Sequence, residues 1–363
     1  MMRSRRPKLT TKRNGLHLSV NEGTLEFYLR HRPQSARQQE MQIQWFPGHM
    51  HKARLQMKET IPKVDLVIEV LDARIPFSSE NPMLAELRGE KPCLKILNKS
   101  DLADPELTKV WLSHFEKTDG IKARATTTDQ YSSIRKLSDL CVQMVPDKPE
   151  GKMITTMIAG IPNVGKSTII NTLAGKKVAK TGNEPAVTKN QQRINIGNSV
   201  TLLDTPGVLW PNVENINSGF RLAAIGSIKE TAMDYADVGF FAAEFMLNRY
   251  LDRLMERYSL DEVPEGQMEF IEALGRKRGC LRKAGIVDID RASKIFVTEL
   301  RSGKLGPLTL ETPEMMVLEK AATVKRLAEK AAKQSEKQKK RKAAFKERNK
   351  EARNKPARKR KRN

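Results

Sequence analysis

The chain has 363 residues, room for one or two folded domains with tails. Its 39% hydrophobic fraction is low for a wholly globular protein, and the formal charge of +23 sits mostly at the ends. Residues 319–363 hold 20 Lys/Arg against 5 Glu and residues 1–40 hold 9 against 3, which leaves only +2 for 41–318. A near-neutral body with two basic arms implies a polyanionic partner, because each neutralised phosphate releases condensed counterions. Charge alone leaves RNA, DNA and acidic protein open. Cys93, Cys141 and Cys280 are far apart and form no CxxC pair, which argues against a zinc site and a secreted disulfide scaffold. No apolar run approaches the roughly 20 residues of a bilayer span. The expected compartment is the cytoplasm. The basic, acid-free first 20 residues also suit a mitochondrial transit peptide, and the terminal Lys/Arg clusters suit nuclear import.

In chain order, residues 1–40 are polar and basic without sustained periodicity, as expected of an arm that orders on a partner. The run from Trp45 to Met50 then leads into a predicted helix over about 50–60 that carries Lys52, Arg54 and Lys58. Apolar runs at 64–71, 93–97, 154–159, 193–196 and 200–203 read as strands, several continuous enough to be buried on both faces. A weaker strand is expected at Ile121–Ala125. Helical spacing at 104–116, 131–144 and 167–174 separates them, which predicts βαβ units and a mostly parallel sheet. After Pro211 strand signals largely vanish and 216–300 reads as helical. Phe240, Ala243, Leu247, Leu251 and Leu254 fall on one face of a continuous helix. Arg301–Pro307 breaks the pattern, and from about Glu314 an Ala/Lys/Glu-rich, helix-prone tail ends in Lys/Arg clusters expected to be disordered when free. The expected organisation is a basic arm (1–40), an α/β domain (41–212), an all-helical domain (213–313) and a basic tail (314–363).

Gly160 to Ser167 fits G-x-x-x-x-G-K-[ST] between an apolar strand, Ile154–Ala159, and a helix, Thr168–Leu173. In that context the glycines turn backbone amides toward phosphates, with Asn163, Val164, Gly165 and Thr168 in the cradle, and the helix N-terminus adds favourable partial charge. Lys166 is expected to neutralise the β/γ oxygens and the Ser167 hydroxyl to ligate Mg²⁺. Asp204-Thr205-Pro206-Gly207 closes the run Val200–Leu203, 38 residues past Lys166. There Asp204 is placed to orient a Mg²⁺-bound water and the Gly207 amide to approach the γ-phosphate. Thr188, between the two, would complete the metal shell and is counted with Lys166 among the catalytic candidates.

Asn98-Lys99-Ser100-Asp101 ends the run Cys93–Leu97. The Asp101 carboxylate can accept from both N1–H and the exocyclic amine of guanine, a pair of donors adenine lacks. Asn98 can bridge loops and the Lys99 stem can cover the base. As a tetrapeptide the run also suits a helix-entry turn. A ribose/base loop is expected near Ala125-Thr126-Thr127. The implied ligand is GTP or GDP. In ordinary guanine-nucleotide domains the base motif follows the phosphate loop, whereas here it lies 62 residues before it. The expected fold is therefore an α/β, circularly permuted P-loop GTPase domain, whose mobile segment after Gly207 runs into the helical domain.

In these motifs, together with Trp45–Met50, Val64–Pro76 with its Leu71-Asp72-Ala73-Arg74, Pro185–Gln192 and Arg301–Leu305, the chain resembles the circularly permuted ribosome-assembly GTPases, most closely the RbgA/YlqF family, over roughly 42–313. The resemblance implies late assembly of the large ribosomal subunit precursor, a helical domain that contacts rRNA and ribosomal proteins, and turnover stimulated by the particle. It also implies potassium assistance at Asn163, and His49 as the group that positions the attacking water. Val208 stands where Ras-like proteins carry a water-orienting Gln, so hydrolysis by the free protein is expected to be slow. The chain is expected to be a monomer without a membrane partner. An RNA-binding GTPase switch with a non-ribosomal partner is the alternative.

Overall fold

The computed structural model describes residues 9–10, 19–20, 43, 45–127, 134–179 and 192–354. Residues His31–Met316 form one compact unit, and Met1–Arg30 with Val317–Asn363 group as a second.

The first unit is built on six strands: β1 (Leu66–Asp72), β2 (Cys93–Asn98), β3 (Ile121–Ala125), β4 (Ile154–Gly160), β5 (Gln192–Asn195) and β6 (Val200–Asp204). Their order is β3-β2-β1-β4-β6-β5, parallel except for the antiparallel edge pair β5–β6. β1 and β2 are buried along their whole length, as strands covered on both faces must be, and this is why they read as continuous apolar runs. Two of the three charges inside them, Glu69 and Lys95, are cross-strand partners and meet at 2.6 Å, and Lys95 also reaches Glu80 at 2.8 Å. Burial pushes the Glu69 carboxyl up, opposed by Lys95, so the pair survives in the core only as a pair.

Helices α1 (Gly48–Thr60), α2 (Pro76–Ser79), α3 (Pro82–Arg88), α4 (Pro105–Phe115), α5 (Leu137–Gln143) and α6 (Lys166–Ala174) accompany the sheet. Most strand and helix limits match the sequence expectation within about two residues, and β3 matches at both ends. Residues 134 and 135 are already helical ahead of α5, as the 131–144 spacing suggests, and 131–133 lie outside the described residues.

Beyond the sheet come α7 (Ile216–Ala224), α8 (Tyr235–Arg249), α9 (Leu251–Tyr258), α10 (Gln267–Lys277) and α11 (Ile289–Arg301). Tyr258, Phe270 and Phe296 meet edge to face at their centre, with ring centroids 5.1–6.5 Å apart. The continuous helix expected over 240–254 is a correction. The chain breaks at Tyr250 (φ −134°, ψ 37°), whose hydroxyl donates to the Thr309 carbonyl and accepts from the Thr309 amide. The buried face of α8 accordingly runs through Val238, Phe241, Ala242, Ala243 and Met246, while Phe240, Leu247 and Leu251 are only half-buried. Tertiary bonding at one residue overrides the local period.

In the second unit the arm expected to lack regular structure carries a short antiparallel pair, Leu9–Thr10 with Ser19–Val20. The helix-prone pattern from about Glu314 is helical as far as Asn354, in α12 (Pro313–Asn354). The clusters at 355–363 lie outside the described residues. No described helix is long and apolar enough to cross a membrane.

Candidate guanine-nucleotide site

The parallel strands β1, β2, β4 and β6 all end on one edge of the sheet, at Asp72, Asn98, Gly160 and Asp204. The chain runs outward through β1, β2 and β3 and returns at β4 beside β1, so the order reverses between β1 and β4. In open α/β sheets the crevice beyond the strand ends at such a reversal is where ligands bind. The base motif leaves β2 and the phosphate loop leaves β4, on either side of that reversal.

The two loops are stitched together. Asn98 Nδ2 donates to the Val164 carbonyl at 2.7 Å, and Lys99 Nζ donates to the Asn163 carbonyl at 2.6 Å. Gly165, at φ +91°, is required by the approach: a Cβ there would lie 2.2 Å from Asn98 Nδ2. Thr126 joins the same assembly, its hydroxyl donating to Asn98 Oδ1 at 3.2 Å and its carbonyl accepting from the Ser100 amide at 3.0 Å. Asp101 lies exposed in the turn Ser100–Leu102, open to a base.

At the phosphate end, α6 begins at Lys166 with Gly165 as its cap, so Val164, Gly165, Ser167 and Thr168 bracket a helix N-terminus. Lys166 is buried, and desolvation pulls its ammonium down to about 8 despite the nearby Asp204 charge. Gly207 passes so close that a Cβ would lie 3.0 Å from Lys166 Nζ. Asp204 is the mirror case. Burial pushes its carboxyl up to about 6, with Lys166 and the Thr205 amide offsetting this only in part. Among the described residues neither oxygen has a hydrogen-bond partner of ordinary geometry. A buried ammonium and a buried carboxylate, each lacking enough opposite charge, fit a phosphate chain and a divalent cation. Ser167 and Asp204 would hold Mg²⁺, which when bound neutralises phosphate charge.

The sign of the Asp204 shift makes a prediction. A carboxyl whose folded pKa lies above its ordinary value weakens the fold wherever it is charged, here above about pH 6, and the cost is gone below the ordinary value near 3.8. Asp204→Asn is therefore expected to stabilise the nucleotide-free protein at pH 7 by about 1–2 kcal/mol, part of the relief being lost with the Lys166 attraction. The same variant is expected to weaken Mg²⁺-nucleotide binding about tenfold or more. Thermal melting with and without Mg²⁺-GDP reads both, and a lower melting point without ligand would contradict the assignment.

Other expected residues are placed differently. Val208 is wholly buried, with its amide donating to the Gly160 carbonyl at 3.2 Å and its carbonyl accepting from Asn81 Nδ2 at 3.2 Å, so it takes no part in handling water. His49 is exposed in the first turn of α1, its ring edge-on to Trp45 at 6.5 Å. Among the described residues no hydrogen bond or ring contact joins it to the phosphate loop. Thr188, with Pro185–Gln191, lies outside the described residues.

Three contributors carried no sequence signal. Asn163 Nδ2 donates to the Gly226 carbonyl at 2.7 Å and Ser227 Oγ to the Pro162 carbonyl at 2.8 Å, so the turn after α7 grips the phosphate loop. Asn81 caps α3 and holds Val208. A Gly-Ser pair or an Asn-Pro pair in a sequence reads as an ordinary turn, and only the fold shows what each touches.

Residues 155–258 match the family model described as 50S ribosome-binding GTPase. The chain is 46% identical to Ribosome biogenesis GTPase A of Bacillus cereus over 76% of this chain and 95% of that protein. The chain belongs to the ribosome biogenesis GTPase A family. It is 33% identical to Ribosome biogenesis GTPase A of Thermotoga maritima, over 75% of this chain and 95% of that protein. It is also 33% identical to Mitochondrial ribosome-associated GTPase 1 of Mus musculus, over 74% and 89%. The GDP-bound structure of the Thermotoga maritima protein YlqF superposes with a TM-score of 0.52 at 30% identity, covering 71% of this chain and 99% of that one. As a ribosome biogenesis GTPase A family member, the chain is a GTP hydrolase with a circularly permuted GTPase domain, a mostly parallel sheet and a helical C-terminal region.

Proposed function

We propose that this GTPase binds the precursor of the large ribosomal subunit late in its assembly and uses GTP hydrolysis as a switch, in the cytoplasm and as a monomer. The observation that carries this reading is the double attachment of the nucleotide site to the helical region. Gly207–Val208 lead out of the site toward α7, and Gly226 and Ser227 at the end of α7 return to grip the phosphate loop. A change at the γ-phosphate would therefore be passed to α7 and the helices after it. The relatives' names supply the partner class, and the basic residues of 319–363 suit rRNA phosphates.

In this reading the domains are the arm 1–40, the GTPase domain 41–212, the rRNA- and protein-contacting helical domain 213–313 and the tail 314–363. Lys166 holds the β/γ-phosphates, Asp101 reads guanine, and Ser167, Asp204 and Thr188 hold Mg²⁺. Asn163 assists with potassium, its amide already oriented by Gly226. His49, exposed on α1, is brought to the attacking water only on the particle. An imidazole near neutrality is suited to orient water.

Co-sedimentation with large ribosomal subunits under GDP and under a non-hydrolysable GTP analogue tests the reading. Tighter association with the analogue, and subunit-stimulated hydrolysis that His49→Ala removes without changing nucleotide affinity, are expected. Equal sedimentation in both states, with no stimulation in K⁺ or Na⁺, would refute it.

A further inference from the structure

Leu71-Asp72-Ala73-Arg74, at the end of β1, is given no role by the nucleotide chemistry above, yet it lies between the base loop and the helical region. Asp72 is wholly buried, and both its oxygens are engaged by Arg74: Nε to Oδ1 at 2.9 Å and a terminal guanidinium nitrogen to Oδ2 at 2.9 Å. Oδ2 also accepts from Lys99 Nζ at 3.0 Å, and the same ammonium reaches the Asn163 carbonyl. Lys99 holds a left-handed backbone (φ 59°), a strained conformation for a side-chain-bearing residue that surrounding bonds must maintain. Burial alone would push the Asp72 carboxyl up, but the Arg74 and Lys99 charges outweigh it and hold it well below the usual carboxylate range.

Arg74 faces the other way as well. Its second terminal nitrogen donates to the Arg301 carbonyl at 3.0 Å, and its own carbonyl accepts from the Leu310 amide at 2.8 Å. The segment between those two residues then runs against the base loop. The Leu308 amide donates to the Leu102 carbonyl at 2.9 Å, and the Asp104 amide donates to Thr309 Oγ1 at 3.2 Å. Gly303, at φ +76°, lies so near that a Cβ would be 2.7 Å from Leu102 Cδ2. Segment 301–310 thus holds Leu102 and Asp104, the residues that follow Asp101.

We propose that Asp72 is a positioning residue that fixes Lys99 over the base, and that Arg74 ties this arrangement to segment 301–310, so that guanine-nucleotide affinity depends on how that segment is docked. The inference rests on the assignment of Asn98–Asp101 as the base-reading loop. It gives the helical region a second route to the nucleotide, at the base rather than at the γ-phosphate.

A double-mutant cycle on the full chain tests it, reading the affinity for a fluorescent GDP analogue. Asp72→Asn is expected to weaken binding about tenfold or more, and to add less than about twofold on a Lys99→Ala background, because the two side chains act as one. Fully additive effects would show Asp72 to be merely structural and would overturn the proposal. Should Asp72→Asn fail to fold, Arg74→Lys, which keeps the charge but loses the two-pronged geometry, is expected to show the same non-additivity with Lys99→Ala. Gly303→Ala is expected to weaken GDP binding several-fold by displacing Leu102, and unchanged affinity would overturn the role of the segment. Asp101→Asn in xanthosine diphosphate separates the failures. A switch to xanthine with wild-type GDP affinity in Asp72→Asn sinks this inference alone, and no switch sinks the base-loop assignment beneath it.

Discussion

Lys166→Ala is expected to abolish measurable GDP and GTP binding, weakening it by about thirtyfold to a few thousandfold. Removing one partner of a buried charge pair costs about 2–5 kcal/mol, and each 1.4 kcal/mol is tenfold in affinity. The loss would not reflect unfolding. Burial holds the Lys166 pKa down at about 8, so its charge weakens the nucleotide-free fold below that pH, and the alanine variant relieves the cost. Its melting point without nucleotide is expected to be at least that of the parent. The same shift sets a pH dependence. Phosphate favours the ammonium form, so above about pH 8 binding must take up a proton, and affinity is expected to fall by up to about tenfold per pH unit until the pKa of the bound state is reached. Calorimetry between pH 7 and 9.5 in buffers of different ionisation enthalpy reads the proton directly. Pure pH independence, or a variant that still binds GDP, would remove Lys166 from the site.

The second large effect is a change of base preference. Asp101→Asn replaces two acceptors by one acceptor and one donor, the complement of xanthine rather than guanine. GDP affinity is expected to fall about a hundredfold or more, with xanthosine diphosphate gaining most of what is lost, since an unmatched polar group at a closed base site is costly. The stability of the nucleotide-free variant should barely move, because Asp101 is exposed there. A variant that lost GDP without gaining the xanthine nucleotide would place the base elsewhere.

Much of this is legible in the amino-acid sequence alone. The phosphate loop and the base motif each announce themselves because local sequence suffices: a strand that ends, a loop whose glycines the turn requires, a helix that begins. Their reversed order along the chain predicted the permutation, and the sheet shows why the order is immaterial, since β2 and β4 flank β1 and deliver both loops to one edge. What was not legible is long-range. Asp72–Arg74 was visible as a motif but had no role until Arg301 and Leu310, more than 200 residues away, were found bonded to it. Ser78 and Glu311 are a similar pair, the Ser78 hydroxyl donating to the Glu311 carboxylate at 2.6 Å in the core. No periodicity encodes such partnerships. The continuous helix expected over 240–254 fails for the same reason: five residues keep a helical register, and the chain breaks at Tyr250, whose hydroxyl is bound to Thr309.

The central claim is that one guanine nucleotide spans the loops leaving β2 and β4. A crystal structure of the protein with Mg²⁺-GDP tests it most directly. The expected density has guanine against the Asp101 carboxylate, the β-phosphate at Lys166 and the cation at Ser167. A nucleotide bound with its base away from Asp101, or its phosphates away from Lys166, would contradict the claim.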